Sequence, residues 1–519
     1  MKKQVLFGLS VLVLTACSDS SNVAQMDYSK DGKVAYGDVY VSASIGEASN
    51  LVPWLTGDAS SHAIAGHFYD SLLEYDKNLN LEGALAKDWE VSEDGLSITF
   101  TLRDDVTWWD GTPFTAHDIM ATFEAVTDPN TRTAYAGDYR KVTKAEAVDD
   151  HTFRVNYAEP FAPALASWTS FSVMPKHIIE TEDDFNETSL KTNPMGTGPY
   201  KLLKWDQAKE TQLIANKNYW KGSPNIAALR VRFIPDQDTQ FLELKAGKID
   251  TMNLKPIQYT RLTDTEAFKS RYAKYKYLGF NYTYMGFAME HPIFKNKDVR
   301  QALSYATPRE KIIKGVLMGQ GQSICCPFKP GTWAYNEELA PYAYDVEKAK
   351  AMLREAGWVD SDGDGIREKT LQGETIPFSF TLVTNQGNAQ RIKTAEILQQ
   401  AFSQVGVDMN IRVQEWSTFI ENTINKRQFE AVLLGWALSP EPDPYDIWHS
   451  SKTANQEFNF IGFNNPRADE LMEKARRTYD KAERKKYLAE FQQIIHDEQP
   501  YLFLYAPETL LAIHKRIKG

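Results

Sequence analysis

The sequence predicts an α/β protein with more than one domain. Its 519 residues are several times the roughly 150 residues of a typical domain. Two stretches, 96–104 (LSITFTLRD) and 151–159 (HTFRVNYAE), alternate apolar and polar residues as strands do. Other stretches repeat apolar residues at helical spacing, and this mixture favours βαβ units in more than one lobe.

Helical periodicity occurs in three stretches, at 345–358, 390–406 and 468–498. The first two end on Gly357 and Gly406, and glycine is the residue that a left-handed helix C-cap prefers. The third stretch is rich in charged residues. We expect its charged side to face solvent.

Composition excludes several classes of protein. The chain has 58 basic and 69 acidic side chains, a formal charge of −11, and 42% hydrophobic residues. This apolar content can build large cores, so a disordered chain, collagen and a small disulfide scaffold are excluded. The acidic balance lacks the basic footprint of nucleic-acid binding. We therefore expect no nucleic-acid partner.

The first 17 residues have the layout of a secretory signal. Two lysines precede an apolar run at 5–14, which is shorter than the roughly 20 residues that span a bilayer. The sequence LTAC, which ends at Cys17, resembles a bacterial lipobox; the alternative is a non-lipidated signal with a chance cysteine. We expect a signal peptide at 1–16 and a lipidated flexible tether at 17–35. The acyl chains would be the only membrane anchor of an extracytoplasmic or periplasmic lipoprotein.

Cys325 and Cys326 are adjacent. In an oxidising compartment they have only each other as a partner, because Cys17 would be acylated. A bond between neighbours closes a small strained ring. A vicinal disulfide and two free thiols therefore both stay open, and we expect neither a catalytic nor a metal-binding role.

Motifs of common enzymes are absent from the sequence. No GxSxG, HExxH or GxxxxGK[ST] occurs, which argues against elbow-type serine hydrolases, zincins and P-loop enzymes. A triad assembled from distant segments stays open. The one metal-like motif, DSDGDG at 360–365, has Leu371 where a calcium loop needs a bidentate glutamate. We favour a turn there, and we expect no enzyme activity, no cofactor and no metal.

Aromatic residues are abundant, with 12 Trp, 25 Tyr and 26 Phe. Most of them must be ordinary core, because aromatic side chains dominate core burial. An exported acidic chain with many aromatic residues and no catalytic motif nevertheless fits a cleft that binds small ligands by stacking and hydrogen bonding.

Several long motifs follow one another along the chain. They are 86–111 (AKDWEVSEDGLSITFTLRDDVTWWDG), 112–119 (TPFTAHDI), 193–202 (NPMGTGPYKL), 245–250 (KAGKID), 298–306 (DVRQALSYA) and 333–335 (WAY), the last followed by the 345–358 stretch. In sequence and order they resemble the extracellular solute-binding proteins of peptide ABC transporters, family 5. The resemblance covers most of the chain after the tether.

The resemblance implies a two-lobed periplasmic-binding-protein fold with a hinge and an extra domain inserted in the first lobe. The implied boundaries are lobe I at 36–66, 195–280 and 484–519, the extra domain at 67–194, and lobe II at 281–483. The hinge would lie near 280 and 483, where the chain crosses between lobes. Ligand contacts from both lobes would favour the closed state.

The resemblance also implies a function. A monomeric binder would capture a peptide between the lobes and deliver it to the permease subunits of an ABC transporter. Binding of a non-peptide solute, such as an oligosaccharide or a metal chelate, is the alternative in the same fold. An exported hydrolase is a distant third, for which no motif argues.

One expected ligand-binding segment departs from the family pattern. In dipeptide and oligopeptide binders, a Trp is followed three residues later by an Asp that pairs with the α-ammonium group of the peptide. Here 435–444 reads GWALSPEPDP, so Trp436 matches but the third residue on is Ser439. The run expected at the ligand is Trp436, Ala437, Leu438 and Ser439.

A carboxylate for the ammonium group would then have to come from further along this loop. Glu441 or Asp443 could supply it, because a buried ammonium group needs a carboxylate partner. The alternative is that Asp443 and Pro444 only shape a turn.

Three more places are implied by the resemblance. Trp416 would wall a side-chain pocket, with an ordinary core position as the alternative. Ala59, Ser60 and Ser61 would meet the peptide backbone by main-chain pairing, as in strand addition. Arg391 would bind the carboxylate of the ligand with its bidentate guanidinium, with a surface helix position as the alternative.

Overall fold

The computed structural model describes residues 37–371 and 373–518. The expected signal peptide, the tether and the lipidation site Cys17 lie outside these residues. Within them, no helix is both long and apolar enough to cross a membrane.

The strands are numbered along the chain. They are β1 (Val39–Ser44), β2 (Leu73–Tyr75), β3 (Leu81–Gly83), β4 (Ala86–Val91), β5 (Ser97–Leu102), β6 (Val142–Asp149), β7 (Thr152–Tyr157), β8 (Tyr200–Asp206), β9 (Glu210–Ala215), β10 (Ala228–Phe233), β11 (Thr251–Asn253), β12 (Tyr272–Leu278), β13 (Asn281–Phe287), β14 (Gly321–Ser323), β15 (Glu368–Leu371), β16 (Glu374–Pro377), β17 (Ser379–Asn385), β18 (Asp408–Gln414), β19 (Ala431–Ala437) and β20 (Tyr501–His514).

The helices are numbered in the same way. They are α1 (Ala59–Ala65), α2 (Ala116–Thr127), α3 (Ala164–Ser167), α4 (Lys176–Ile179), α5 (Gln237–Lys245), α6 (Glu266–Arg271), α7 (Lys297–Tyr305), α8 (Arg309–Gly315), α9 (Val346–Glu355), α10 (Ala389–Ser403), α11 (Trp416–Thr418), α12 (Tyr445–Trp448), α13 (Pro466–Arg477) and α14 (Lys481–Glu498). Short 3-10 turns lie at Pro53–Leu55, Tyr139–Lys141, Phe185–Glu187 and Ser189–Lys191, and π-helical turns at Gln258–Leu262 and Phe419–Ile424.

The segments predicted to form lobe I and the inserted domain, named so below, each contain a four-stranded sheet. The lobe I sheet has the order β1-β10-β9-β8, and the sheet of the inserted domain has the order β4-β5-β7-β6. One hydrophobic core joins the two sheets, because it includes Leu213 and Leu229 of the first and Phe100 and Phe153 of the second. The two parts are therefore packed together through one core.

Lobe II is built on the larger sheet. Its strand order is β11-β20-β13-β19-β17-β18, with β12 and β14 also pairing with β20. Strand β17 runs parallel to both β18 and β19. One face carries the core that includes Leu303, Leu398 and Phe402, from α7 and α10. The opposite face carries the core that includes Leu471 and Phe491, from α13 and α14.

The chain crosses between the lobes in two places. Strand β12 pairs with 508–514 of β20, whereas β13 pairs with 501–505 of the same strand. The first crossing therefore lies between Leu278 and Asn281, near the predicted position. The second lies within β20.

The second crossing and the boundary at 484 differ from the sequence expectation. Leu488, Phe491 and Ile495 of α14 are buried in the same core as Trp448 of lobe II. The apolar face of α14 packs into the core of lobe II, so α14 belongs to lobe II. The second crossing therefore lies after α14, within β20.

The local elements agree with the sequence patterns in most places. The two predicted strands are β5 and β7, which pair antiparallel with Phe100 opposite Phe153. Gly357 and Gly406 follow α9 and α10 with φ values of +86° and +79°, which is the left-handed conformation that glycine adopts without strain.

The stretch at 468–498 is not one helix. It is divided between α13 and α14, because Thr478 is extended, with φ −109° and ψ 116°. Asp480 then accepts a hydrogen bond from the N–H of Glu483 and begins the second helix. This N-cap signal is present in the sequence.

The DSDGDG motif forms a turn. Asp360 accepts hydrogen bonds from the N–H groups of Gly363 and Gly365, at 2.8 and 3.1 Å, as aspartate commonly does in turns. Cys325 and Cys326 are buried as free thiols with their sulfur atoms 3.5 Å apart.

Candidate functional site: the cleft between the lobes

The carboxyl ends of three neighbouring strands point at lobe I. Strands β17, β18 and β19 run in one direction, and in such sheets ligands bind at the carboxyl ends. Arg391 and Trp416 follow β17 and β18, and Trp436 lies near the carboxyl end of β19 itself. Parallel strand order therefore brings together residues that are distant in sequence. Gly387, which follows β17, meets Pro235 and Ile45 of lobe I. The described structure is therefore a closed form.

Trp416 lies on the boundary between the lobes. Its indole Nε1 is 3.4 Å from Oδ1 of Asp58 in lobe I. A Cβ added to Gly46 of lobe I would lie 2.9 Å from the Trp416 ring. The side chain is half-buried, which differs from the core position that was the alternative.

Ala59, Ser60 and Ser61 form the first turn of α1 and not an extended segment. Strand addition at these residues is therefore excluded, because a helical turn has no free strand edge. Ser61 is fully buried and donates its hydroxyl to Asp58 at 2.6 Å, so it does not face the cleft. Ala59 is exposed, and Ser60 lies beside Gly46 at the lobe boundary.

Asp58 is a buried acid that sequence reasoning missed. It is 3% exposed and accepts hydrogen bonds from Ser49, Thr56 and Ser61 as well as from Trp416. A carboxylate has about four lone-pair positions, so these donors leave no room for a ligand ammonium group. Its role is to cap α1 and to hold Trp416; an Asp before a helix is the signal that could have found it.

Trp436 begins an aromatic wall. Its Nε1 donates to the hydroxyl of Tyr501 at 3.2 Å, and its ring lies 5.3 Å from that of Phe458. Phe458 in turn lies 5.3 Å from the ring of Tyr135 in the inserted domain. Sequence analysis missed Phe458 and Tyr135, because only tertiary structure brings these segments together.

The loop after β19 places its polar residues differently from the family pattern. Ala437 and Ser439 are exposed, and the N–H of Leu438 donates to the carbonyl of Phe280 at 2.7 Å. The hydroxyl of Ser439 accepts the N–H of Glu441 at 3.3 Å. Ser439 therefore shapes the loop.

Both candidate acids of this loop already have basic partners. Glu441 pairs with Arg484, which is 8% exposed. Asp443 accepts from Nε of Arg476 at 2.8 Å and lies 2.7 Å from its Nη2. Each carboxylate balances a buried guanidinium, so this arrangement does not support the expected ammonium-binding role. Asp443 also accepts the N–H of Tyr445 at 3.1 Å, in agreement with the turn interpretation.

The side chain of Arg391 is half-buried. Its Nη1 donates to Oδ1 of Asn385 at 2.7 Å, whereas its buried Nε has no hydrogen-bond partner among the described residues. A Cβ added to Gly435 would lie 2.8 Å from its Nη2. Burial lowers the pKa of the guanidinium, and Tyr505 and Tyr284 oppose this shift. No ion pair with an acid occurs within the described ranges.

The position of Arg391 near the start of a helix also disfavours its positive charge. It lies in the first turn of α10, where the helix dipole also disfavours a cation. A buried charge is normally paired or neutralised. Arg391 therefore offers a positive charge to which an anion could bind.

Comparisons with known proteins identify the family. The family described as "Bacterial extracellular solute-binding proteins, family 5 Middle" matches residues 80–458. The chain is 32% identical to the oligopeptide-binding protein AppA of Bacillus subtilis, over 100% of this chain and 96% of that protein. It is 29% identical to heme-binding protein A of Haemophilus influenzae, over the same shares of the two chains.

A solved structure supports the same assignment. The structure of Bacillus subtilis AppA in complex with a nonapeptide superimposes with a TM-score of 0.88 at 30% identity, covering 93% of this chain and 95% of that one. The protein belongs to the bacterial extracellular solute-binding proteins of family 5, and it has their two-lobed fold.

Proposed function

We propose that this protein captures peptides in the cleft between its lobes and delivers them to the permease of an ABC transporter. The observation that supports this most directly is the Arg391 guanidinium, which has no acidic partner among the described residues and whose buried Nε donates to none of them. A peptide with a free C-terminal carboxylate would supply an acceptor for it. The similarity to a protein solved with a nonapeptide supports a peptide ligand.

The proposed ligand pose has two contacts. The C-terminal carboxylate pairs with Arg391, because a guanidinium binds carboxylates in a bidentate manner. Side chains of the peptide pack against Trp416 and Trp436, which are both half-buried. The N-terminal ammonium group is not paired with Glu441 or Asp443, since both belong to arginines.

A second candidate is a non-peptide anionic solute. The observation that favours it is the lack of a carboxylate for an ammonium group in the loop at 435–444. The relative in Haemophilus influenzae is a heme-binding protein. Such a solute would use the same Arg391 site, so the two candidates differ in the rest of the ligand.

Native mass spectrometry of the protein purified from its own cells tests the choice between them. A peptide mass in the complex, with fragments that identify a sequence, is the expected result. A single non-peptide mass in the complex would contradict peptide capture. Gentle unfolding followed by chromatography of the released solute gives the control.

Peptide binding is expected to stabilise the closed form. At about 100 times Kd, a ligand that binds only the folded protein adds about 2.7 kcal/mol to its free energy of unfolding. A pool of tetrapeptides with free termini should raise the melting temperature, and small-angle scattering should show a smaller radius of gyration. If no peptide pool shifts either quantity, the non-peptide candidate takes precedence.

Membrane attachment is proposed to depend on lipidated Cys17. The described residues contain no membrane-spanning helix, and the family is extracellular. Cys17→Ala should move the protein from the membrane fraction to the soluble fraction without changing its melting temperature. Retention of this variant at the level of the wild type would contradict lipid anchoring.

A further inference from the structure

Carboxylates of both lobes meet one guanidinium where the inserted domain faces lobe II. Nη2 of Arg476 in α13 lies 2.9 Å from Oδ1 of Asp138 in the inserted domain and 2.7 Å from Oδ2 of Asp443 in lobe II. Asp446 lies beside this group and pairs with Lys452 at 3.0 Å. We call these five residues the seam cluster.

Neighbouring contacts place the seam cluster on the surface that forms when the lobes close. The N–H of Ala162 in the inserted domain donates to the carbonyl of Arg476 at 2.6 Å. The hydroxyl of Tyr479 donates to the carbonyl of Gly95 at 2.9 Å. The end of α13 therefore docks on the inserted domain, and Asp138 is covered by this docking.

The charges of the seam cluster do not balance. Lobe II contributes Asp443 and Asp446 together with Arg476 and Lys452, and Glu457 adds a further carboxylate 3.9 Å from Lys452. At this cluster, lobe II thus contributes three acidic and two basic side chains, one more acid than base. Closing brings Asp138 to this surface as a second excess negative charge, and like charges in a partly buried site disfavour ionisation.

We propose that closing of the lobes takes up a proton at Asp138, so that ligand binding is coupled to pH through a residue that does not touch the ligand. This inference rests on the proposed ligand-driven closure. In the open form, Asp138 is in water and ionised at neutral pH. In the closed form, it shares Arg476 with Asp443 and carries the proton for part of the time.

The titration of Asp138 agrees with this geometry. The pKa of Asp138 is raised to about 7. Burial is the largest cause and Arg476 opposes it, while Asp446 and Asp443 add to the increase and Lys452 reduces it. An exposed aspartate has a pKa of about 3.9. Because the closed form has the higher pKa, the contribution to affinity is complete below the open-state pKa and is lost as pH rises through about 7.

The expected size follows from this difference. Between pH 8 and pH 6, affinity should rise by about tenfold from Asp138 alone. His62, near the lobe boundary, acts in the opposite direction, because burial lowers its pKa. Comparison with a variant of Asp138 therefore isolates the effect.

The test measures proton uptake directly. Wild-type protein at pH 7 in unbuffered salt is mixed with a saturating pool of tetrapeptides with free termini, and a pH-stat records the protons exchanged. Scattering on the same mixtures records closure. We expect Asp138→Asn to close normally. Its proton uptake per bound ligand should be smaller than that of the wild type by at most about half a proton.

Two further variants sharpen the test. Glu159→Gln removes an exposed acid that pairs with Arg477 across the same seam at 2.7 Å, and it should behave as the wild type. Asp446→Asn removes a neighbouring acid, so proton uptake at pH 7 should decrease even though Asp138 is present. The Asp446→Asn variant therefore still tests the inference if Asp138→Asn fails to fold.

The outcomes separate this inference from the proposed function. Contraction of the wild type with no difference in proton uptake between it and either seam variant would overturn proton coupling alone. Loss of uptake in Glu159→Gln equal to that in Asp138→Asn would also overturn it. Absence of contraction in the wild type would overturn ligand-driven closure, and this inference with it.

Discussion

Arg391→Gln is expected to weaken peptide binding by about two orders of magnitude. Removing one partner of a buried, hydrogen-bonded charge pair costs about 2 to 5 kcal/mol, and about 1.4 kcal/mol corresponds to a factor of ten in Kd. No acid among residues 37–371 and 373–518 pairs with the guanidinium, so its interaction is available to the ligand. Calorimetry with one tetrapeptide gives the two dissociation constants.

The free protein should respond in the opposite direction. Arg391 is a half-buried cation in the first turn of α10 that pairs with no acid among the described residues, which is unfavourable. Arg391→Gln should therefore leave the melting temperature of the ligand-free protein unchanged or higher. Arg412→Gln, which removes an exposed arginine of β18, is the matched control. It should change neither quantity.

Chemical changes to the peptide complete the cycle. Amidation of the C-terminus should weaken binding to the wild type by a similar factor and cost little more on Arg391→Gln, because both changes remove the same contact. Acetylation of the N-terminus should have a small effect, since Glu441 and Asp443 are paired within the protein. A large loss on acetylation with none on amidation would reverse the proposed orientation of the ligand.

The fold was predictable from the sequence where local patterns decide it. The strands at 97–102 and 152–157 and the glycine caps at 357 and 406 follow from periodicity and backbone preference. The crossing within β20 was not predictable in this way. Its 14 residues form one continuous strand, and only the pairing partners β12 and β13 reveal where one lobe ends.

The sequence indicated which residues lie near the candidate site better than it indicated which side chains they would pair with. Arg391 and Trp416 follow β17 and β18, and Trp436 lies near the end of β19, so parallel strand order places all three at the same end of the sheet. The pairing of Asp443 with Arg476 was missed, because a carboxylate in a loop does not indicate which distant base will balance it. Ser61 was assigned to the ligand, although the cap at Asp58 turns it inward.

Gly387→Ala is expected to weaken ligand binding by about one to two orders of magnitude. An added Cβ would lie 2.5 Å from the carbonyl oxygen of Pro235 in lobe I. This oxygen belongs to the backbone, so the clash is relieved only by moving the lobes apart. Overpacking of this kind costs about 1 to 3 kcal/mol, and here the cost applies to the closed form alone.

Backbone strain at Gly387 has to be separated from this effect. Gly387 has a φ of +84°, and Gly363, in an exposed turn of the same lobe, has a φ of +81° with no atom near an added Cβ. Gly363→Ala therefore carries the same left-handed strain, about 1 to 2 kcal/mol, without the contact to lobe I. Both variants should lose similar thermal stability as free proteins.

Only Gly387→Ala should change binding and closure. With saturating tetrapeptides, its radius of gyration should stay larger than that of the wild type, and the dissociation rate should rise because the ligand is enclosed less completely. If Gly387→Ala binds as tightly as Gly363→Ala and contracts to the same radius, the lobes do not approach at Pro235 when the ligand is bound. The contact between Gly387 and Pro235 would then belong to the ligand-free closed form alone, and affinity would depend on the Arg391 and Trp416 sides of the cleft.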